Sequence, residues 1–155
     1  MKRKKRLSKP VSNKESGGKT MLKLIIGAKG SGKTKTLIEL VNSALKETNG
    51  TVVCIEKGYK LKFDISYHCR LIDTDQYVIK NAETLYGFVA GILASDHDLS
   101  DLFIDSALKI CLNDTAAFDD FLVKTAKLVE ANDVNCVITS SIPVEEVTEI
   151  EKKYM

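Results

Sequence analysis

The residues of this sequence that are best suited to chemistry form one glycine-rich stretch. It reads Gly27-Ala28-Lys29-Gly30-Ser31-Gly32-Lys33-Thr34, which fits G-x-x-x-x-G-K-[ST] at every fixed position. Glycines let backbone N–H groups turn towards an anion, and the dipole of a following helix favours negative charge at the same point. Lys33 is expected to reach the β- and γ-phosphates of a nucleotide, and the Thr34 hydroxyl to ligate Mg²⁺. The stretch therefore predicts a phosphate-binding loop.

Hydrophobic periodicity predicts the elements that must position this loop. Residues 22–26 are nearly all apolar, as in a buried strand, and residues 33–47 place apolar side chains on one face of a helix. Further strands are predicted at 51–55, 70–73, 102–105 and 134–139, and helices at 82–95, at 115–131 and after Pro143. Strands that alternate with helices of this length predict an α/β fold, a three-layer sandwich with a mostly parallel sheet covered on both faces.

One segment alternates instead of following a helical period. In residues 60–67, Leu61, Phe63, Ile65 and Tyr67 would share one side of a strand, with polar side chains on the other. This pattern predicts a half-exposed or edge strand.

The glycine-rich stretch and its flanking elements make the chain resemble the P-loop NTPase superfamily, with a Walker A motif at 27–34. The order of strands looks most like a minimal RecA-like core, and the chain is similar to small uncharacterised bacterial ATP-binding proteins. The resemblance implies the P-loop NTPase fold, a bound nucleoside triphosphate and Mg²⁺. Because no guanine-reading N-K-x-D motif occurs, ATP is favoured over GTP.

P-loop proteins generally hold Mg²⁺ through an Asp that ends an apolar strand beside the phosphate loop. Asp105, after Leu102-Phe103-Ile104, fits that position, and Asp73 is a weaker competitor. In the RecA-like branch a catalytic Glu commonly follows this Asp, but the next residue here is Ser106. The hydrolytic base therefore stays open, with Asp75 or Asp98 eligible only if the fold brings them close.

A polar residue commonly ends the neighbouring strand in the same branch. Thr139 resembles that residue, and Thr139 or Ser140 is predicted to contact the γ-phosphate or a water, with a simple strand end as the alternative. Arg70, the single arginine of residues 21–155, is interpreted as a surface charge rather than a catalytic finger. His68 is interpreted as structural or exposed, and His97 as a loop residue whose loop could approach the nucleotide.

The charge is distributed unevenly. Residues 1–20 carry eight Lys or Arg against Glu15 alone, whereas the other 135 residues carry fifteen basic and twenty acidic side chains. We interpret residues 1–20 as a disordered basic arm, with Met21 as a possible true start, and residues 21–155 as one nucleotide-binding domain. The acidic body makes nucleic acid an unfavourable partner for this domain.

Composition points to a cytoplasmic protein. No run of about eighteen apolar residues predicts a membrane span, and the basic start lacks the apolar stretch of a secretory signal. The four cysteines show no C-x-x-C spacing, so we expect reduced, structural thiols.

These features support three hypotheses about function. The first is an Mg-ATP-binding protein with slow hydrolysis, in which Lys33 and Asp105 do the chemistry and a protein partner or self-association supplies activation. The second is a nucleotide-dependent binding or regulatory module that hydrolyses little. The third is a nucleoside or small-molecule kinase, which the shortage of arginines for a closing segment disfavours.

Overall fold

A computed structural model describes residues 21–155; the predicted basic arm, residues 1–20, lies outside the described residues. Within the described part, five strands form one parallel sheet in the order β1-β5-β4-β2-β3. The strands are β1 (Leu22–Gly27), β2 (Thr51–Glu56), β3 (Arg70–Asp73), β4 (Leu99–Ile104) and β5 (Asn135–Ser141). Because the strands are parallel, all their carboxyl ends lie at one edge of the sheet, which includes the start of the glycine-rich loop.

Five α-helices and two short 3₁₀ helices connect and cover these strands in residues 21–155. The α-helices are α1 (Lys33–Glu47), α2 (Ala82–Ser95), α3 (Ala107–Ile110), α4 (Thr115–Ala131) and α5 (Glu149–Lys152), and the 3₁₀ helices are Thr74–Tyr77 and Val144–Glu146. Local sequence explains where several begin. Asn81 and Thr84 form a capping box at the start of α2, and the Asp114 side chain accepts the Ala117 N–H at the start of α4.

The sheet separates two apolar cores. On one face, side chains such as Val53 and Ile55 of β2 pack with residues of α2 and α4. On the other face, the alternate side chains Val52 and Cys54 pack with Leu37 of α1. This is the predicted α/β sandwich of three layers with a parallel sheet, and the alternation along β2 follows from the two-residue period of a strand.

The prediction of a strand at residues 60–67 is wrong. Residues 57–69, which we call the crossover segment, are built of turns and lie on the α1 face between β2 and β3. Leu61 and Ile65 are buried there, whereas Phe63 is 91% and Tyr67 is 88% exposed. The Ile65 N–H donates to the Leu61 carbonyl at 3.1 Å, so the segment turns with a period near four residues and places the two pairs on opposite sides.

The other predicted elements are present. β1 and β2 end one residue beyond the predicted strands, and β3 has its predicted bounds. β4 begins three residues earlier and ends one earlier than predicted, and β5 begins one residue later and ends two later. The predicted C-terminal helix is divided into the 3₁₀ turn Val144–Glu146 and α5. The four cysteines are free and buried, and burial raises the pKa of each thiol, to about 11 for Cys69 and about 12 for Cys111 and Cys136. None of the helices in residues 21–155 is long and apolar enough to cross a bilayer.

Candidate functional site

The glycine-rich loop connects the end of β1 to the start of α1. A Cβ on Gly27 would meet the Ser31 side chain, which would have to shift to make room for it. Gly32, the N-cap of α1, has φ 90°, a conformation that other residues rarely adopt. A Cβ built on Gly30 or Gly32 meets no atom within 4 Å, so the side of the loop on which these positions open is clear of protein.

Two backbone N–H groups at the start of α1 have no protein acceptor in the described part of the chain. Gly32 supplies no side-chain cap to α1, and the N–H groups of Lys33 and Thr34 have no hydrogen-bond partner within residues 21–155. The Lys33 ammonium lies over the loop, where Nζ donates to the Ala28 carbonyl at 2.9 Å and lies 3.5 Å from Ser31 Oγ. An ammonium carries three donors, so Lys33 retains capacity for an incoming anion.

Asp105 immediately follows β4 and reaches the first turn of α1. Its Oδ1 lies 3.5 Å from Thr34 Oγ1 and accepts a 2.7 Å hydrogen bond from Thr139 Oγ1. Asp105 is 9% exposed, and its backbone N–H donates to the Ile55 carbonyl of β2 at 2.9 Å. β4 is separated from β1 by β5, so the helix start, rather than the loop itself, contacts Asp105.

The residues present fit a nucleotide phosphate with Mg²⁺. No group of three or more His, Cys, Asp or Glu able to hold a metal occurs in residues 21–155. Mg²⁺ does not need such a cage, because it is commonly held by one or two protein oxygens together with waters and phosphate oxygens. The Thr34 hydroxyl and the Asp105 carboxylate are oxygens of that kind, beside N–H groups that have no protein acceptor.

Thr139, predicted to contact phosphate, uses its hydroxyl within the protein. The hydroxyl hydrogen goes to Asp105, and the oxygen accepts the Ser106 N–H at 2.9 Å. Since a hydroxyl has one hydrogen to donate, Thr139 can donate to a phosphate only if the bond to Asp105 breaks. Direct phosphate contact by Thr139 stays a prediction. Ser140 is similarly engaged, donating to the Thr139 carbonyl at 2.7 Å and accepting the Leu108 N–H at 3.2 Å.

The competing carboxylates lie further from the loop. Asp73 ends β3, at the opposite side of the sheet from β1, and its Oδ1 accepts the N–H groups of Gly58 and Asp75 at 2.7 and 2.9 Å. Asp75 forms an exposed ion pair with Lys57 at 2.8 Å. Of the two metal candidates, Asp105 is therefore the one that the fold brings to the helix start.

Three other residues considered in the sequence lie at the amino ends of the strands, on the opposite side of the sheet from the glycine-rich loop. His97 and Asp98 precede β4, whose six residues span about 20 Å, whereas Asp105 follows it. Arg70 is the first residue of β3 and is exposed. The fold therefore does not bring Asp98 close to Asp105, which was the condition for it to serve as a base, and the loop of His97 lies at the opposite end of β4. His68, interpreted as structural or exposed, is exposed beside the Tyr67 ring.

A carboxylate that the sequence reasoning missed lies next to Asp105. Glu56 ends β2, is 2% exposed, and accepts the N–H groups of Lys60 and Leu61 at 3.1 and 2.9 Å. Burial raises its pKa, the two N–H groups oppose that shift, and the charges of Asp105 and Asp73 reinforce it. A carboxylate directly after the apolar residues 52–55 was the available signal, the same signal that identified Asp105.

Comparisons with known proteins give the fold. No protein-family model matches the chain, and no curated protein matches it in sequence. The solved "Structure of C. elegans PCH-2" matches with a TM-score of 0.50 and 12% sequence identity, over 84% of this chain. This chain covers 32% of that one.

Topology and this likeness together confirm the predicted fold class, a three-layer α/β sandwich with a parallel sheet. At 12% identity the likeness concerns the fold alone. The roles of the loop residues, of Asp105 and of Thr139 stay predictions.

Proposed function

We propose that this chain binds a nucleoside triphosphate with Mg²⁺, with ATP as the favoured nucleotide, and hydrolyses it slowly unless a partner or a second copy assists. The observation that carries the proposal is the convergence of Thr34 and Asp105, 3.5 Å apart, beside the uncapped start of α1. A strand end and a helix start from distant parts of the sequence meet where a Walker A loop requires its metal ligands.

Each part of the site has a distinct task in this proposal. The loop N–H groups and Lys33 bind the phosphate oxygens, which the positive end of the α1 dipole also favours. Thr34 and Asp105 hold Mg²⁺, and Thr139 and Ser106 orient Asp105. Bound Mg²⁺ supplies neutralisation of the charge that develops on the transferred phosphoryl group.

Slow hydrolysis follows from what surrounds Asp105. Its neighbour Ser106 cannot act as a carboxylate base, and both oxygens of nearby Glu56 accept backbone N–H groups. Arg70, the sole arginine of the described residues, lies at the amino end of β3, whereas Asp105 lies at the carboxyl end of β4. Activation of water and stabilisation of the transition state therefore fall to a partner or to a second copy of the chain.

The same observations favour a second candidate, a nucleotide-dependent binding module that hydrolyses little. Glu56, a buried carboxylate beside Asp105, accepts two N–H groups of the crossover segment. A change in the bound nucleotide therefore has a structural path to the exposed surface of that segment. A small-molecule kinase is the least favoured reading, because residues 21–155 offer no arginine near the loop.

Replacement of Lys33 tests the site. Lys33→Ala should weaken Mg-ATP binding at least about 100-fold, measured by calorimetry, because charge-assisted hydrogen bonds to phosphate are lost. Lys35→Ala is the matched control, since it removes an exposed lysine two residues later, outside the motif. Equal ATP affinity of the native protein and Lys33→Ala would overturn the proposal.

Phosphate release separates the functional candidates once binding is established. Steady release without an acceptor supports the ATPase, and tight binding without turnover supports the binding module. Formation of ADP only when an acceptor nucleoside or small molecule is added would instead support the kinase.

A further inference from the structure

The crossover segment presents an unusual surface away from the proposed nucleotide site. Phe63 and Tyr67 are 91% and 88% exposed, and Tyr59 nearby in sequence is 46% exposed. Two aromatic rings this exposed within five residues are uncommon on a folded domain, because aromatic side chains are normally at least half buried. Their exposure calls for a physical reason other than packing.

The fold holds these rings outward rather than leaving them loose. Leu61, Ile65 and Cys69 recur every four residues and are buried against α1 and the sheet. The Glu56 carboxylate binds the N–H groups at the start of this run, and Asn42 Nδ2 of α1 donates to the Asp64 carbonyl at 3.3 Å. Because Leu61, Ile65 and Cys69 face the core, the residues midway between them, Phe63 and Tyr67, face solvent.

Positive charge lies beside the exposed rings. Lys60 and Lys62 lie between Tyr59 and Phe63 in the sequence, and neither is ion-paired within residues 21–155. Lys62 Nζ lies 5.9 Å from the centre of the Phe63 ring. Arg70 follows at the start of β3, and Asp64 is the one acidic residue between 58 and 70. Residues 21–155 carry a net negative charge, so this strip differs in sign from the domain that carries it.

We propose that the exposed strip of residues 59–70 binds single-stranded nucleic acid, with the Phe63 and Tyr67 rings stacking on bases and Lys60 and Lys62 contacting phosphates. Flat rings beside cations are the combination that sequence-tolerant single-strand binding uses. The strip is long enough for several nucleotides, because the crossover segment must return from the carboxyl end of β2 to the amino end of the parallel strand β3.

Other anionic partners fit the strip less well. A membrane-surface segment is commonly a helix with a continuous exposed apolar face, but residues 57–69 are built of turns, and Leu61 and Ile65 point into the core. An acidic protein segment would use the lysines and leave both rings in water. The overall acidity that disfavours nucleic acid for the domain as a whole does not apply to this local strip.

The first test measures binding of a fluorescent oligothymidylate of about 20 nucleotides to the full chain by anisotropy, without ATP. Phe63→Ala/Tyr67→Ala should weaken binding at least about 10-fold, because two stacking contacts are lost. Leu112→Ala/Val144→Ala is the matched control, since those side chains are 70% and 75% exposed elsewhere on the surface. The basic residues 1–20 are present in every variant, so the difference between variants reports the strip.

Salt dependence tests the lysines. Lys60→Ala/Lys62→Ala should reduce the slope of log affinity against log salt by about 1.4, whereas Lys109→Ala/Lys127→Ala, which removes two exposed lysines elsewhere, should leave it unchanged. Because the chain contains no tryptophan, Phe63→Trp adds a single fluorescent reporter that should be quenched when a base stacks on it.

Three outcomes would overturn the proposal. They are a full chain that does not bind the oligonucleotide, binding that the Phe63→Ala/Tyr67→Ala variant retains in full, and a Phe63→Trp signal that the bound oligonucleotide leaves unchanged. Loss of binding to phosphatidylserine vesicles in the ring variant, with oligonucleotide binding intact, would assign the strip to a membrane instead. None of these measurements depends on whether the chain binds ATP.

Discussion

Thr139 of β5 donates a 2.7 Å hydrogen bond to Asp105, the residue that follows β4, and thereby holds the carboxylate that faces Thr34. Thr139 is 1% exposed and also accepts the Ser106 N–H. The hydrogen bond connects the end of β4 to the neighbouring strand β5, so the orientation of Asp105 is fixed by the sheet.

Thr139→Val should therefore raise the Mg²⁺ concentration required for half-maximal ATP binding about 10-fold, as loss of an outer-shell partner commonly does. Thr139→Ser, which keeps the hydroxyl, should restore the native value. Thr125→Val is a matched control: Thr125 Oγ1 is buried with no hydrogen-bond partner in the described residues, so its removal should leave Mg²⁺ dependence unchanged and should not lower stability. An unchanged Mg²⁺ response in Thr139→Val would show that the bond does not orient Asp105.

Asp105→Asn should abolish measurable phosphate release and raise the Mg²⁺ requirement for ATP binding at least about 10-fold, since the amide supplies no negative charge to the metal. The fold should be retained, because the amide oxygen can still accept from Thr139. Asp73→Asn tests the competing carboxylate under the same titration. If Asp73→Asn lost Mg²⁺-dependent binding while Asp105→Asn kept it, the assignment of the metal ligand would be reversed.

The sequence predicted α1 to the residue, because Gly32-Lys33 marks its start and Asn49-Gly50 follows its end. It favoured Asp105 over Asp73 from the apolar runs that precede them, but only the strand order shows which of the two carboxylates lies near α1. The 60–67 segment was mispredicted because Leu61 and Ile65 lie on one side under a period of two and also under a period of four. Only tertiary packing of Leu61, Ile65 and Cys69 distinguishes these periods.

The pH dependence of stability should reveal a buried carboxyl group on α5. Burial raises the pKa of Glu151 above its ordinary value of 4.5, and a hydrogen bond with Asp119 and the negative charge of Asp119 add to the shift, while Thr148 opposes it. The folded protein therefore binds more protons than the unfolded chain between pH 4.5 and the raised pKa. Stability should fall as the pH rises through this window, by about 1.4 kcal/mol for each unit of raised pKa.

Glu151→Gln, which is neutral at every pH, should flatten this fall and unfold at a higher temperature than the native protein at pH 7. Glu149→Gln is the control of opposite sign: Glu149 has its pKa lowered by its hydrogen bond with Lys152, so its contribution is present above pH 4.5 and is lost on acidification. That contribution should be small because Glu149 is 87% exposed. Thermal unfolding followed by circular dichroism from pH 4 to pH 8 measures both, and parallel curves for native protein and Glu151→Gln would contradict the raised pKa.

Replacement of Glu56 distinguishes two roles for this residue, an anchor of the crossover segment and a catalytic base. Its carboxylate accepts two backbone N–H groups of the crossover segment, so Glu56→Ala leaves those groups without their acceptor and should destabilise the segment by about 1 to 3 kcal/mol. Hydrogen exchange at the Lys60 and Leu61 amides should accelerate correspondingly, and Glu47→Ala, an exposed carboxylate at the end of α1, should leave these amides unchanged. Both oxygens of the buried Glu56 carboxylate accept backbone N–H groups. We therefore expect Glu56→Ala to disorder the crossover segment and to change the rate of phosphate release little. A Glu56→Ala protein with native exchange rates at Lys60 and Leu61 but no ATP hydrolysis would instead make Glu56 the missing base beside Asp105.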